Sequence, residues 1–347
     1  MKKLFIILTL LPVLAYSQKR EEAENKVQEG VTLHDEGKYD HALKVYEEAL
    51  TLDKDNLLAL SEMAMTLNAA KQYDKSIEIC KRAIETHKKE DVKNVYVSYA
   101  NSLDHLNQPD KAIKIYDEGI KKYPDYHQLY FNKGVTLANF NQLEKSILAF
   151  QQATRVNPNH SSSFNALGVL EQKNRIASIL AISRYLTLDN KSSRAKGNYE
   201  IILKNMSQGV SQKDDKSISL VLDPNVLDGV EKGKKTENNF STTDMILSMA
   251  AALDYDDKNK DKTPCQKFIT KFETICSSLT ESKKGGKGYY WEFLAPYFIE
   301  MNSKKLVEPF SYIIFLPSQS EDVLDYHKTH AAEIKNFNDW SSSYQWK

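Results

Sequence analysis

The sequence predicts an all-α protein: a solenoid of about five helical hairpins closed by a capping helix, then a C-terminal helical domain. Three observations carry this expectation. A pattern of small and large residues recurs at a step of 34. Leu, Ala, Lys and Glu dominate the first two thirds, a composition that favours helix. Gly and Pro are sparse, 12 and 9 in 347 residues, and sit mostly where a hairpin must turn. A fixed period of this length marks supersecondary units that stack to bury a continuous core.

In chain order, residues 1–17 are expected to be a secretory leader. Lys2 and Lys3 precede an apolar run of 11 residues, Leu4 to Leu14, and Ala15 and Ser17 supply the small side chains that a signal peptidase reads. Eleven helical residues rise too little to cross a hydrocarbon core of about 30 Å. No Cys follows the run, so the lipoprotein form of the signal is missing. The mature chain is expected to begin near Gln18, to carry no transmembrane segment, and to be exported to a periplasm or secreted. Basic and acidic residues balance at 47 each, which gives no global field to draw nucleic acid.

The repeat is clearest around Tyr39, in Gly30, Leu33, Gly37, Tyr39, Ala42, Tyr46 and Ala49. The same slots next hold Ala64, Leu67, Lys71, Tyr73, Ser76, Cys80 and Ala83. After a slip of two they hold Ala100, Leu103, Asn107, Pro109, Ala112, Tyr116 and Gly119, and then Gly134, Leu137, Asn141, Leu143, Ser146, Phe150 and Ala153. Small residues allow two helices to approach, and Tyr46, Tyr116 and Phe150 are the knobs that fill the space towards the next unit. Asp53 to Asn56, Pro124-Asp125 and Asn157-Pro158-Asn159 mark turns between units. Units fall at 23–56, 57–90, 93–126 and 127–160. A fifth, 161–192, matches through Phe164, Leu167 and Gly168 if about two residues are lost near Asn174 to Ile176. A capping helix is expected over 193–207, with Ala195, Tyr199, Ile202 and Leu203 on its buried stripe.

Residues 208–239 turn polar and read as a linker or ordered crossover, with Ile218 to Leu222 as a short extended island. The C-terminal domain is placed at 240–347. Ser241 with Asp244 suggests a capping box, and Thr263-Pro264 with Gln266 is a stronger one. Cys265, Phe268, Phe272, Ile275, Cys276 and Leu279 then share one helical face. Residues 289–316 are aromatic-rich, and Glu321 to Trp340 reads as a last amphipathic helix.

Cys265 and Cys276 lie 11 residues apart on one expected helix, about 16 Å along its axis, too far for a disulfide. All three cysteines, Cys80 included, are expected to be buried thiols. Lys284 to Gly288 lacks the phosphate-loop pattern and reads as a surface loop. From Asp254 the calcium-loop pattern fails at its fifth, sixth and twelfth places. His327 and His330 could reach one metal from adjacent turns, but no acidic or thiol partner accompanies them. No catalytic residue, metal ligand or cofactor site is expected.

The repeat resembles the tetratricopeptide repeat family over 23–192, including Pro124 and Pro158 where that family ends its second helix. The resemblance implies a binding scaffold whose concave face is lined by the first helix of each unit. Those positions hold Val27, Val31, His34 and Asp35, then Ser61, Met65, Asn68 and Ala69, then Val97, Asn101, Asp104 and His105. Phe131, Val135, Ala138 and Asn139 follow, then Asn165, Val169 and Gln172. Met65, Asn68, Asn101, His105, Phe131, Asn139 and Asn165 are the expected peptide-binding residues, since an amide satisfies both donor and acceptor of a peptide group. The best-known branch of the family clamps acidic chaperone tails with Lys, Asn and Arg. Asn101 and Asn132 match two amide slots of that clamp, but Val97, Ser162 and Ala166 stand at its cationic slots, so that specificity is not implied. The expected function is an exported scaffold that binds a protein or extended peptide segment. The alternative is a small-ligand-binding envelope protein with its site in the aromatic C-terminal stretch.

Overall fold

The computed structural model describes residues 2–214, 217–232 and 236–347, with side chains described outside 2–17, 213–214 and 231–232. The leader expected at 1–17 therefore lies outside the described side chains. Among the described residues 18 α-helices and one two-stranded antiparallel sheet form. They gather into two compact units that divide between Ala149 and Phe150.

In the first unit helices alternate as antiparallel hairpins: α1 (Lys2–Asp35) with α2 (Tyr39–Leu52), α3 (Leu57–Ala69) with α4 (Tyr73–Thr86), and α5 (Lys93–His105) with α6 (Pro109–Lys122). Then come α7 (His127–Asn139) and α8 (Leu143–Val156), within which the unit boundary falls. All four hairpin turns are built alike. The amide N–H groups of Lys38, Gln72, Gln108 and Gln142 donate to the carbonyls of Leu33, Leu67, Leu103 and Leu137, at 2.8, 2.8, 2.9 and 2.8 Å. Such a bond closes only if the residue before the donor is left-handed. Gly37, Lys71, Asn107 and Asn141 take that conformation, with φ between 56° and 75°. Glycine does so freely, whereas a lysine strains its Cβ against the carbonyl.

The small slots work through contact and through hydrogen bonding. A Cβ at Gly30 would stand 2.3 Å from the Tyr46 ring, so the wholly buried tyrosine needs a glycine beneath it. In the second and fourth hairpins Ser76 Oγ donates to the Ala64 carbonyl (2.9 Å) and Ser146 Oγ to the Gly134 carbonyl (2.8 Å), each twelve residues back. Cys80, in the slot of Tyr46 and Tyr116, is as fully buried as they are. Burial pushes its thiol up to about 12.

The second unit contains the fifth hairpin, α9 (Ser161–Leu170) with α10 (Arg175–Leu188). Here Ser178 Oγ donates to the Gly168 carbonyl at 2.7 Å over a spacing of ten instead of twelve. Ile182 stands over Gly168 as Tyr46 does over Gly30. The hairpin keeps the packing of the others with two residues fewer. It differs in that α10 is buried from Arg175 to Leu186 without interruption. Packed with it are α11 (Ala195–Ser207), α13 (Ser241–Ala252) and α16 (Val307–Ile314). A ring cluster forms the adjoining core, from α14 (Pro264–Ser282), α15 (Ala295–Ser303), α16 and α18 (Ala331–Ser343). Phe272 lies 5.4 Å from Phe298 and 4.9 Å from Phe310, and Phe310 lies 5.9 Å from Phe337. Burying each such ring is worth about 2–3 kcal/mol as an upper bound.

Several local expectations change. The stretch read as a linker or ordered crossover carries strand β1 (Val210–Asp214), strand β2 (Ser217–Leu220) on the expected extended island, and then α12 (Pro224–Lys232), which packs on α13. The capping box at Ser241 does not form, because Asp244 is drawn to Arg175 and the Ser241 amide donates instead to Asn239 Oδ1. The last helix breaks at His330 into α17 (Glu321–Thr329) and α18, with the His330 ring stacked 4.2 Å from Tyr326. The buried stripe of α11 is rotated to include Asn198 and Asn205, whose amides donate to Asn165 Oδ1 and Ser178 Oγ. The capping box at Thr263 and Gln266 is present, and all three cysteines are free and buried.

Candidate functional site

The first helices of the leading hairpins set the candidate surface. Periodicity decides which of their side chains face inwards. Val27, Leu60, Ala64 and Leu103 are buried, while Met65, His105 and Asn139 are exposed and Asn101 and Phe131 half-buried. Val27 therefore leaves the expected groove and joins the core.

Asn68 is committed to holding repeats together. Its amide donates to Ser98 O (2.9 Å) on α5 and to Ser76 Oγ (3.1 Å) on α4, and it accepts from Ser102 Oγ (2.9 Å). One repeat earlier, His34 occupies the same slot and shares a hydrogen bond with Thr66 Oγ1 at 2.8 Å. Thr66 and Ser102 are wholly buried hydroxyls in equivalent places, so the two bonds are one device used twice. Its partners lie more than thirty residues apart, which hides it from local pattern reading.

The remaining expected residues are less engaged. Asn101 Oδ1 accepts from the buried Tyr116 hydroxyl, and the Asn101 NH2 group has no partner among the described residues. His105 stacks on Tyr73 with centroids 4.8 Å apart and stays exposed. Met65 is 44% exposed, one of the few large apolar side chains that open in the first unit. Asn165 lies in the second unit, where its Oδ1 accepts from Asn198.

A cleft of about 640 Å³ opens at the N-terminal ends of α3 and α5 and against α1. Ser61, one of the expected concave-face residues, lines it. Its carboxylates are Glu24, Asp53, Asp55, Glu62, Glu90 and Asp91, and its cations are Arg20 and Lys93. Burial raises the Glu62 carboxyl above the ordinary range, outweighing the lowering by nearby His34. Asp53, Asp55, Glu90 and Asp91 precede helix starts, where acidic residues are common for local reasons, and their convergence across two repeats is not visible in one.

The aromatic C-terminal stretch is core. Trp291, Phe293, Tyr297, Phe298, Phe310, Tyr312 and Phe315 are each at most 6% exposed, with rings packed on one another. His327 is bonded to the Tyr312 carbonyl (3.0 Å) and His330 to Thr329, and no group of His, Cys, Asp and Glu among the described residues could hold a metal ion. No described helix is long and apolar enough to cross a membrane.

Family models for the tetratricopeptide repeat match residues 33–98 and 100–163, the stretches that carry the left-handed turns and buried knobs described above. Over these two stretches, less than half of its length, the chain is built of tetratricopeptide repeats. It is 26% identical over 181 residues to the Protein STIP1 homolog of Dictyostelium discoideum, covering 42% of this chain and 30% of that protein. It is 30% identical over 196 residues to the Protein O-mannosyl-transferase TMTC1 of Homo sapiens, covering 53% of this chain and 22% of that one. The chain thus spans less than a third of the length of these relatives. Among solved structures, a thermophilic TPR protein of Thermus thermophilus is similar at 18% identity and a TM-score of 0.43, covering 53% of this chain and 97% of that one. The pilF protein of Pseudomonas aeruginosa is similar at 15% identity and a TM-score of 0.46, covering 54% and 84%.

Proposed function

We propose that the protein is an exported scaffold that binds a protein segment on the first-helix face of its leading repeats. The observation that supports this is a division of labour on that face. His34 and Asn68 bind neighbouring repeats, whereas Met65, His105, Asn139 and the Asn101 NH2 group remain outside that network. A surface left partly apolar and partly amide suits an extended backbone, which needs donors and acceptors at intervals and pockets between them. The leader read at residues 1–17 supports export to a periplasm or secretion, and nothing in this reading calls on catalysis. The full chain, crosslinked in its native compartment, should capture a specific protein partner. An Asn101→Ala, Phe131→Ala, Asn139→Ala triple variant should lose that partner with its helical content unchanged. Retention of the partner at unchanged affinity would move the site off this face. Mass spectrometry of the mature protein should find an N-terminus near Gln18, and an intact Met1 on mature material would remove the export half of the proposal.

A further inference from the structure

The hairpin of β1 and β2 has one blunted edge and one open edge. β1 reads Val-Ser-Gln-Lys-Asp, so it carries two charges, and it slips register between Gln212 and Asp214. Charges and irregularities of this kind keep an edge strand from pairing further. β2 reads Ser-Ile-Ser-Leu and has no charge. One bond shows which way its backbone faces. The Val221 N–H donates to the Gly209 carbonyl at 2.7 Å. Backbone groups alternate along an antiparallel strand, so Ser219 also turns to β1, and Ile218 and Leu220 turn their N–H and C=O groups to the free side. Among the described residues no further strand lies there. The Ile218 and Leu220 side chains are exposed, and Ser219, on the opposite face, is half-buried. The surroundings are apolar as well. Eight of the thirteen large apolar side chains that are exposed among the described residues fall between Ile218 and Tyr255. They belong to α13 and to the segments packed on it: β2 with Val221, α12 and the turn Leu253–Tyr255. At 37–68% exposure these residues present on the order of 700 Å² of surface, above the roughly 300–600 Å² of the largest patch on a typical monomer and close to the ~800 Å² that each partner gives a standard interface.

We propose that the free edge of β2 pairs with the same edge of a second copy of this chain. An antiparallel pair centred on Ser219 sets Ile218 of each copy opposite Leu220 of the other. Each such pair exchanges two main-chain hydrogen bonds, so all the outward N–H and C=O groups of both residues are satisfied, and the edge is its own complement under a two-fold axis. The apolar area around the edge is what a stable dimer needs and what a lone chain has no use for. The inference concerns the second unit and is independent of the binding face proposed for the first.

The full chain, sedimented to equilibrium over about 1–100 μM, should form a dimer, since interfaces of this area hold at micromolar concentrations or below. Leu220→Pro removes an N–H that points away from β1 and so leaves the hairpin ladder intact. With its circular dichroism unchanged, this variant should associate at least about 100-fold more weakly. Ser219→Cys tests the register. Across the two-fold axis the Cα atoms of this non-hydrogen-bonded pair stand about 4.5 Å apart, within reach of a disulfide. The three native thiols are buried, so mild oxidation should join the Ser219→Cys variant into a covalent dimer on a non-reducing gel. Ser211→Cys, on the blunted strand β1, should stay uncrosslinked. A dimer that survives Leu220→Pro, or equal crosslinking at residues 211 and 219, would place the association elsewhere and overturn the proposal. A chain still monomeric at the highest concentration would also overturn it and leave the edge to a strand of a different protein.

Discussion

Two second helices of hairpins, α6 in the first unit and α10 in the second, have the same length and opposite surroundings. α6 reads Pro-Asp-Lys-Ala-Ile-Lys-Ile-Tyr-Asp-Glu-Gly-Ile-Lys-Lys and buries Ala112, Tyr116 and Gly119, leaving its charges in water. α10 reads Arg-Ile-Ala-Ser-Ile-Leu-Ala-Ile-Ser-Arg-Tyr-Leu-Thr-Leu and is buried over twelve consecutive residues. Towards their own first helices the hairpins do the same thing, a serine or small residue beneath a large one. On the outer face they differ completely. The repeat pattern therefore specifies how a hairpin closes on itself and leaves open what covers its back, which the polarity of the outer positions decides.

That covering forces two arginines inside. Arg175 is held by Asp244, by the Gln208 carbonyl and by Ser248, with Nη2 2.7 Å from Asp244 Oδ1. Arg184 has no carboxylate partner among the described residues. It donates to Ser341 Oγ, the Pro158 carbonyl and Asn159 Oδ1 at 3.0, 3.1 and 2.9 Å, and lies over the Tyr297 and Trp346 rings, 5.0 Å from each centroid. Burial pushes both guanidinium groups below their ordinary range, a sign of the desolvation that these partners offset.

The sharpest way to break the comparison is Arg175→Ala, which would strand a largely buried Asp244. Urea unfolding should show a loss of about 3–5 kcal/mol. Lys114→Ala on the exposed face of α6 should change stability by less than about 0.5 kcal/mol. Similar costs at the two positions would mean that α10 is not sealed in solution. The shared inner face should answer alike in both units. Gly30→Ala and Gly168→Ala drive a Cβ to 2.3 and 2.2 Å from Tyr46 and Ile182, and each should cost about 1–3 kcal/mol by thermal melting. A large difference between them would show that the fifth hairpin does not pack as the first does.

How far the sequence reveals this can be argued residue by residue. The slots of Gly30, Tyr46, Ser76 and Ser146 are visible because each recurs at fixed spacing, and the two-residue deletion near Asn174 is visible because the fifth unit fits only with it. Thr263, Pro264 and Gln266 announce α14 because a cap is a local event. Burial of the back of α10 is written there too, in Ile176, Ala177, Leu180 and Ser183 where α6 carries Asp110, Lys111, Lys114 and Asp117, although aligning repeats by their inner slots overlooks it. The role of Asn68 is not legible. An amide suits a ligand and a neighbouring serine equally well, and only stacking brings Ser98 and Ser102 to it. Residues 208–239 are partly legible: the extended island at Ile218 to Leu222 falls largely on β2, whereas β1 and α12 are fixed by α13 beside them, which no local pattern shows.

Two smaller measurements sharpen the picture within the first unit. Asn68→Ala should cost about 1–1.5 kcal/mol, since it removes the bonds that tie α3 to Ser98 and Ser102 while Ser102 Oγ keeps its bond to the Ser98 carbonyl, whereas exposed Asn139→Ala should leave melting within about 0.5 kcal/mol of the parent. Equal effects would return Asn68 to the binding face. Lys71→Gly should raise stability by about 0.5–1 kcal/mol, since glycine relieves the left-handed strain at φ 60° more than it adds chain entropy. No gain in the melting temperature would show that the lysine side chain compensates for its backbone.

The bonds from His34 to Thr66 and from Asn68 to Ser102 bear on how such an array can change its length. Each joint presents an imidazole or an amide on one side and a hydroxyl on the other. Excising one whole repeat would bring Ser102 opposite His34, and duplicating one would bring Asn68 opposite a second Thr66. Either of these two splices recreates a polar group facing a hydroxyl. These two seams are interchangeable, so a unit between them can be lost or duplicated without a joint having to be invented anew.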